Sequence, residues 1–156
     1  MAEVVQRIRT AGGNDWETVR TLCRAYQADI AVDLCFQHFE EELASLPGCY
    51  AEPEGGVWIA WEEERPVGMV ALRPLERGCE MKRLYVAPAA RGTGLGRRLA
   101  ERCVDEARKR GYETMWLDTL RTMDAANHVY DALGFVDCDA YYDNPLEGVR
   151  YRMIPL

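Results

Sequence analysis

The chain has 156 residues, 48% of them hydrophobic and 29% charged, with a formal net charge of −7. That length suits a single domain, residues 1–156, with a sizeable core, and the acidic balance argues against a general nucleic-acid binder, which carries a basic footprint. The opening MAEVVQRIRT lacks the apolar run of a signal peptide, and no stretch approaches the ~20 apolar residues of a membrane span.

In chain order, Val4 to Arg9 alternates apolar and polar residues and reads as a first strand. Gly12-Gly13 break it, and Asn14 or Asp15 is placed to cap a helix running through Ala28, with a stripe of Trp16, Val19, Leu22, Cys23 and Tyr26. A second helix is expected from about Asp33 to Leu46, its apolar side carrying Leu34, Phe36, Phe39, Leu43 and Leu46, with Pro47-Gly48 as its stop. Within it, Glu40-Glu41-Glu42 reads as a solvated face. Val57 to Glu62 and Val67 to Pro74 read as strands joined by a turn at Glu63–Pro66, and a further strand runs from Cys79 to Val86. These strands and the first form an antiparallel meander.

A helix follows, ending at Gly111, that buries Leu95, Leu99, Ala100, Cys103, Val104 and Ala107 and turns Arg97, Arg98, Glu101 and Arg108 outward. Tyr112 to Thr119 is a buried strand. Its strand–helix–strand connection makes it parallel to the Cys79–Val86 strand. Asp124 to Leu133 reads as a helix with Ala125, Ala126, Val129 and Leu133 inward, ended by Gly134. Phe135 to Tyr142 and Val149 to Ile154 are predicted strands around a turn-rich loop at 143–148. The sum is an α+β fold: a mixed, mostly antiparallel twisted sheet with helices on both faces and a central parallel pair.

Chemistry concentrates between Cys79 and Gly111. After the strand comes Arg91-Gly92-Thr93-Gly94-Leu95-Gly96, opening the amphipathic helix. Glycines let backbone N–H groups approach a ligand closely, and a helix's first turn offers N–H groups with no internal partner at its positive dipole end. Together they make an anion site. From Lys82 to Arg110 nine basic residues face three acids, a positive segment in an acidic chain. A P-loop would need Lys-Ser/Thr after the last glycine, where Arg97-Arg98 stand, and a dinucleotide fingerprint would need glycine at position 97. The six cysteines contain no C-x-x-C pair and are expected to be reduced thiols, in keeping with a cytoplasmic protein. His38 and His128 stand alone, so no metal site is expected.

The remaining pattern, R-x-x-G-x-G after Leu84-Tyr85-Val86 and before Tyr130-x-x-Leu133-Gly134-Phe135, resembles the GNAT superfamily of acetyl-CoA-dependent N-acetyltransferases, from about Trp58 to the C-terminus. The resemblance implies that the two parallel strands splay and that the pantetheine arm of acetyl-CoA fills the gap. Leu84, Tyr85 and Val86 would then bind the arm, a backbone N–H near Val86 would face the thioester, and Arg91, Gly92, Thr93, Gly94, Leu95, Gly96 and Arg97 would hold the diphosphate. It further implies that Glu80 accepts the amine's proton, often through water, and that Tyr130 lies near the CoA sulfur and protonates the leaving thiolate. By strand alternation Glu80 shares a face with Lys82, Leu84 and Val86. Where many members carry an asparagine seven residues before the tyrosine, this chain has Met123, and Asn127 does not match that position.

The expected reaction is direct acetyl transfer in a ternary complex to a small-molecule or peptide primary amine, with no nucleophile–base pair legible for an acyl-enzyme. Tyr141 to Pro145 is a candidate wall of the acceptor site, or an ordinary turn. A homodimer stays open. The rival reading is a catalytically weak acyl-CoA-binding sensor.

Overall fold

The computed structural model describes residues 5–31, 34 and 38–156. Its strands are β1 (Gln6–Thr10), β2 (Gly56–Glu62), β3 (Arg65–Leu75), β4 (Gly78–Val86), β5 (Thr114–Leu120), β6 (Val136–Asp137) and β7 (Val149–Pro155). Its helices are α1 (Trp16–Ile30), α2 (Phe39–Ser45), α3 (Leu95–Lys109) and α4 (Asp124–Leu133). The strands form one sheet in the order β1-β2-β3-β4-β5-β7-β6. Every neighbouring pair is antiparallel except β4 and β5.

Both faces of the sheet are covered, which is why β2 and β3 read as nearly continuous apolar runs. Trp58, Ala60, Val70 and Leu72 pack against Leu95, Leu99, Cys103 and Ala107 of α3 and against Tyr130 of α4. The alternate residues Val57, Ile59, Met69 and Ala71 pack against Val19, Leu22 and Cys23 of α1 and Phe39 and Leu43 of α2. The inward face expected for α3 is the one that is buried. Gly111 (φ +85°) ends that turn, with Tyr112 N–H donating back to the Ala107 carbonyl at 3.2 Å.

Several expectations need correction. Asp15 stands at the start of α1 but makes no side-chain cap; its carboxylate accepts the Gly12 N–H instead, at 3.1 Å. The second helix begins only at Phe39, because His38 adopts a left-handed backbone (φ +56°). The expected positions Asp33 and Phe36 lie outside the described residues. Glu42 is not solvated: it holds the buried Arg83 in a two-pronged ion pair at 3.0 and 3.1 Å. In α4, Ala126, Val129 and Leu133 pack against the core as expected, but Ala125 is exposed and the fully buried side chains are Asn127 and Tyr130. Asn127 turns inward because its Nδ2 donates to the carbonyls of Leu120 and Met123, both at 2.9 Å, tying the end of β5 to the start of α4.

The strand expected at 135–142 is only Val136–Asp137. Tyr141 and Tyr142 have strand propensity, yet they leave the sheet to form an aromatic cluster with Tyr151 and to bond two strand carboxylates. β7 inserts between β5 and β6 and pairs with both.

Candidate active site

The parallel pair determines where the site lies. β4 and β5 are in register only at Cys79↔Met115 and Glu80↔Trp116, after which they part. β4 also carries a bulge: its register against β3 shifts between Met69 and Ala71, and Arg83 sits at φ +58°. A bulge reverses the side-chain faces beyond it. Cys79 and Met81 belong to the α3-side core, and so do Leu84 and Val86, while Tyr85 belongs to the other core. Glu80 and Lys82 therefore face the α1 side, opposite Leu84 and Val86, and the expectation of a shared face fails at the bulge. Val86 turns its carbonyl away from β3 to accept Arg91 Nε at 3.0 Å. In an extended strand the N–H and C=O of one residue point the same way, so the Val86 N–H also faces the gap.

A cleft of about 580 Å³ occupies this gap. Of the residues expected to bind a cofactor, Leu84, Tyr85, Val86, Arg91, Gly92, Gly94, Leu95, Gly96 and Arg97 line it. Thr93 does not; its hydroxyl donates to the Ala90 carbonyl at 2.6 Å and buttresses the loop. Arg98 also points elsewhere, to Gln6 of β1. Gly94 (φ +82°) forms the turn into α3, and the first residues of that helix, Leu95, Gly96 and Arg97, line the cleft, where a helix's first N–H groups have no internal partner. The opposite wall is apolar, formed by Ala125, Ala126, Val129 and Ala132 of α4. This explains the exposure of Ala125: it faces the cleft and not the core. Arg91 pairs with Asp29 of α1 at 2.9 Å, and Tyr26, Asp29 and Ile30 complete the rim.

A smaller cavity of about 40 Å³ adjoins the cleft, sharing Tyr26, Ile30, Leu84, Leu120 and Met123 with it. Its wall contains Tyr130, Lys82, Asp118 and Asn144. Burial pushes the Tyr130 phenol well above the ordinary tyrosine range. Met123, at the position where an asparagine was expected, is common to both cavities.

Glu80 lines neither cavity. It is 3% exposed, accepts the Tyr141 hydroxyl and pairs with Arg73 at 3.5 Å. Asp118 was missed by the sequence reading. It accepts from the Tyr142 hydroxyl and from Asn144 Nδ2 (2.9 Å), and stands 3.9 Å from Lys82 Nζ. The available signal was a charge within an otherwise buried strand, MWLDTL and CEMKRLYV, where charge is rarely tolerated without a partner. From the segment after β6, Asn144 and Leu146 line the smaller cavity, while Tyr141, Tyr142, Asp143 and Pro145 line neither.

Among the described residues, no group of three or more His, Cys, Asp or Glu is arranged to hold a metal, and no helix is long and apolar enough to cross a membrane. Cys23, Cys49, Cys79, Cys103 and Cys138 are free thiols. Burial raises all five, Cys23 and Cys79 to about 12.

Comparison with known proteins identifies the family. Residues 16–135 match the acetyltransferase (GNAT) family. An uncharacterized N-acetyltransferase of Schizosaccharomyces pombe is 36% identical over 145 residues, covering 91% of this chain and 89% of that protein. The fold is shared with an acetyltransferase from Streptococcus agalactiae (TM-score 0.77, 24% identity, covering 97% of this chain and 98% of that one). It is also shared with a Salmonella typhimurium protein solved with its cofactor acetyl-CoA (TM-score 0.68, 22% identity, covering 96% and 93%). The chain belongs to the GNAT family of acetyl-CoA-dependent N-acetyltransferases.

Proposed function

We propose that this protein transfers the acetyl group of acetyl-CoA to a primary amine, small-molecule or peptide, by direct attack in a ternary complex. The observation that carries this reading is the adjacency of two spaces: a cleft lined by the glycine-rich start of α3 and by Leu84, Tyr85 and Val86 shares the walls Tyr26, Ile30, Leu84, Leu120 and Met123 with a small cavity lined by Tyr130. The first N–H groups of α3, with Arg91 and Arg97, hold the diphosphate. Val86 offers its N–H to the thioester oxygen, where negative charge develops on attack.

The reacting ammonium must first lose a proton, since only the neutral amine has a free electron pair. Its nitrogen then bonds to the acetyl carbon and the C–S bond breaks. A second proton leaves the nitrogen and one is taken up by the sulfur. Glu80 is the candidate base, its carboxylate accepting the Tyr141 hydroxyl and paired with Arg73. Tyr130 holds its proton more tightly than a thiol does, so full transfer to sulfur is uphill; it acts as a hydrogen-bond donor that stabilises the departing thiolate. Among the described cysteines every thiol is shifted away from thiolate, which favours direct transfer over an acyl-enzyme.

The test is acetyl transfer onto a mixed panel of amines and peptides, read by mass spectrometry. An acetylated amine product is expected. Acetyl-CoA binding without turnover on any acceptor would replace this reading with the sensor.

A further inference from the structure

Resting on that reading, we propose that Asp29 of α1 is a positioning residue for the transfer. Through Arg91 it holds the backbone at Val86, so that the Val86 N–H faces the thioester carbonyl.

The contacts form a chain from helix to strand. Asp29 Oδ1 lies 2.9 Å from Arg91 Nη2, and Nε of the same guanidinium donates to the Val86 carbonyl at 3.0 Å. A guanidinium is planar and rigid, so a partner on Nη2 fixes the direction of the Nε–H. The peptide unit that it reaches is held at its other end too: the Ala87 N–H donates to the Val67 carbonyl at 2.8 Å. That unit is planar. With its oxygen on Arg91 and its hydrogen on the Val67 carbonyl, the chain at Val86 is pinned in the orientation that turns its N–H to the gap between β4 and β5.

The placing of Asp29 gives this contact a use beyond stability. Asp29 stands in the last turn of α1, where the helix dipole favours cations and disfavours a carboxylate. Its side chain is 42% exposed and that of Arg91 46%, and an ion pair so exposed contributes little to folding. Asp29 also lines the cleft, where its charge opposes that of the diphosphate. The residue is thus unfavourable for its helix, nearly neutral for the fold and adverse to the charge of the donor. A local rule broken without gain in stability marks a functional position, and what Asp29 supplies is the orientation of Arg91. It is placed to do so: Tyr26, Asp29 and Ile30, at i, i+3 and i+4 spacing, present one face of α1 to the cleft.

The experiment reads the donor carbonyl directly. Acetyl-CoA isotopically labelled at the acetyl carbonyl is bound to the protein, and its C=O stretch is followed by infrared difference spectroscopy. A hydrogen bond from Val86 lowers that frequency relative to free acetyl-CoA. In Asp29→Asn at least about half of the lowering should be lost. The same loss is expected in Arg91→Lys, which keeps the charge but cannot make both contacts. With the amine that the acceptor panel turns over fastest, kcat in Asp29→Asn should fall about tenfold or more, the cost of a misplaced group. Adding Asp29→Asn to Arg91→Lys should cost no further kcat, since both changes cut one chain. CoA binding by calorimetry reports that each variant is folded, and removal of an acid beside an anion site should leave it unchanged or tighter in Asp29→Asn. A carbonyl frequency or a kcat unmoved in Asp29→Asn, or CoA binding weakened there, would overturn the positioning role and leave acetyl transfer standing. No lowering of the frequency in the wild-type protein would remove Val86 as the donor and Asp29 with it. Wild-type protein that acetylates no amine would overturn both readings.

Discussion

Glu80 and Tyr130 occupy different surroundings, and their variants should fail differently. Tyr130 is buried, and its side chain lies in the wall of the small cavity. Tyr130→Phe should lower kcat by about 10- to 100-fold, the scale of a lost stabilising donor, with acetyl-CoA affinity nearly unchanged; wild-type turnover would remove Tyr130 from the chemistry. Glu80→Gln keeps the shape of the Tyr141 and Arg73 contacts and removes only the charge. If Glu80 takes the proton, kcat falls about 100-fold or more, and a kcat within twofold of wild type sends the proton elsewhere. The thiols provide a third check. Because Cys23, Cys79 and Cys103 are buried and none of the five described cysteines lines either cavity, with every one of their thiols raised away from thiolate, iodoacetamide at pH 7.5 should leave initial acetylation rates unchanged. Rapid inactivation protected by acetyl-CoA would instead point to a cysteine in the site.

At the scale of elements, the glycine loop joins two different uses of glycine. Gly92 and Gly94 have φ of +78° and +82°, and an added Cβ at either would meet no atom within 4 Å. They are required by conformation, and an L-residue there costs about 1–2 kcal/mol. Gly96 has an ordinary helical backbone, and its added Cβ would rest 3.6 Å from Val86 Cγ2 and 4.0 Å from Val129 Cγ2. That is normal contact, so the protein itself tolerates alanine, and α3 gains up to about 1 kcal/mol of helix propensity. The methyl would, however, stand between Val86 and Val129, in the path proposed for the cofactor. Gly96→Ala should therefore hold or raise the ligand-free Tm while weakening acetyl-CoA binding tenfold or more by calorimetry. Gly94→Ala should lower Tm even without ligand. Equal effects of the two variants on stability would contradict this division.

Across the whole molecule, the cleft is a seam between two halves of the sheet. β4 and β5 share only two paired positions, and beyond them α1, the glycine loop and α4 meet around open space. A ligand that bridges β4, α3 and α4 binds the folded chain and not the unfolded one. At about a hundred times its Kd it adds about 2.7 kcal/mol, which for a chain of this size raises Tm by about 5–10 °C. Differential scanning with acetyl-CoA should show that shift; no shift at saturation would mean that the cleft does not hold the donor.

The sequence by itself determined the periodic elements and the anion loop. The face of α3, the bounds of α4, the parallel relation of β4 to β5 and the RxxGxG turn follow from local spacing and short-range backbone chemistry, which a sequence displays directly. The tertiary structure decided what depends on contacts far apart in the chain. A bulge at Arg83, stabilised by Glu42 from 41 residues away, turned Glu80 from the face of Leu84 and Val86. Tyr141 and Tyr142, strand-like in isolation, were drawn from the sheet by Glu80 and Asp118, 61 and 24 residues distant. Lys82 and Asp118 became neighbours only because β4 and β5 lie side by side before they part. Period and propensity report on residues a few positions apart; the pairing of charges across a gap is fixed only when the strands carrying them are placed.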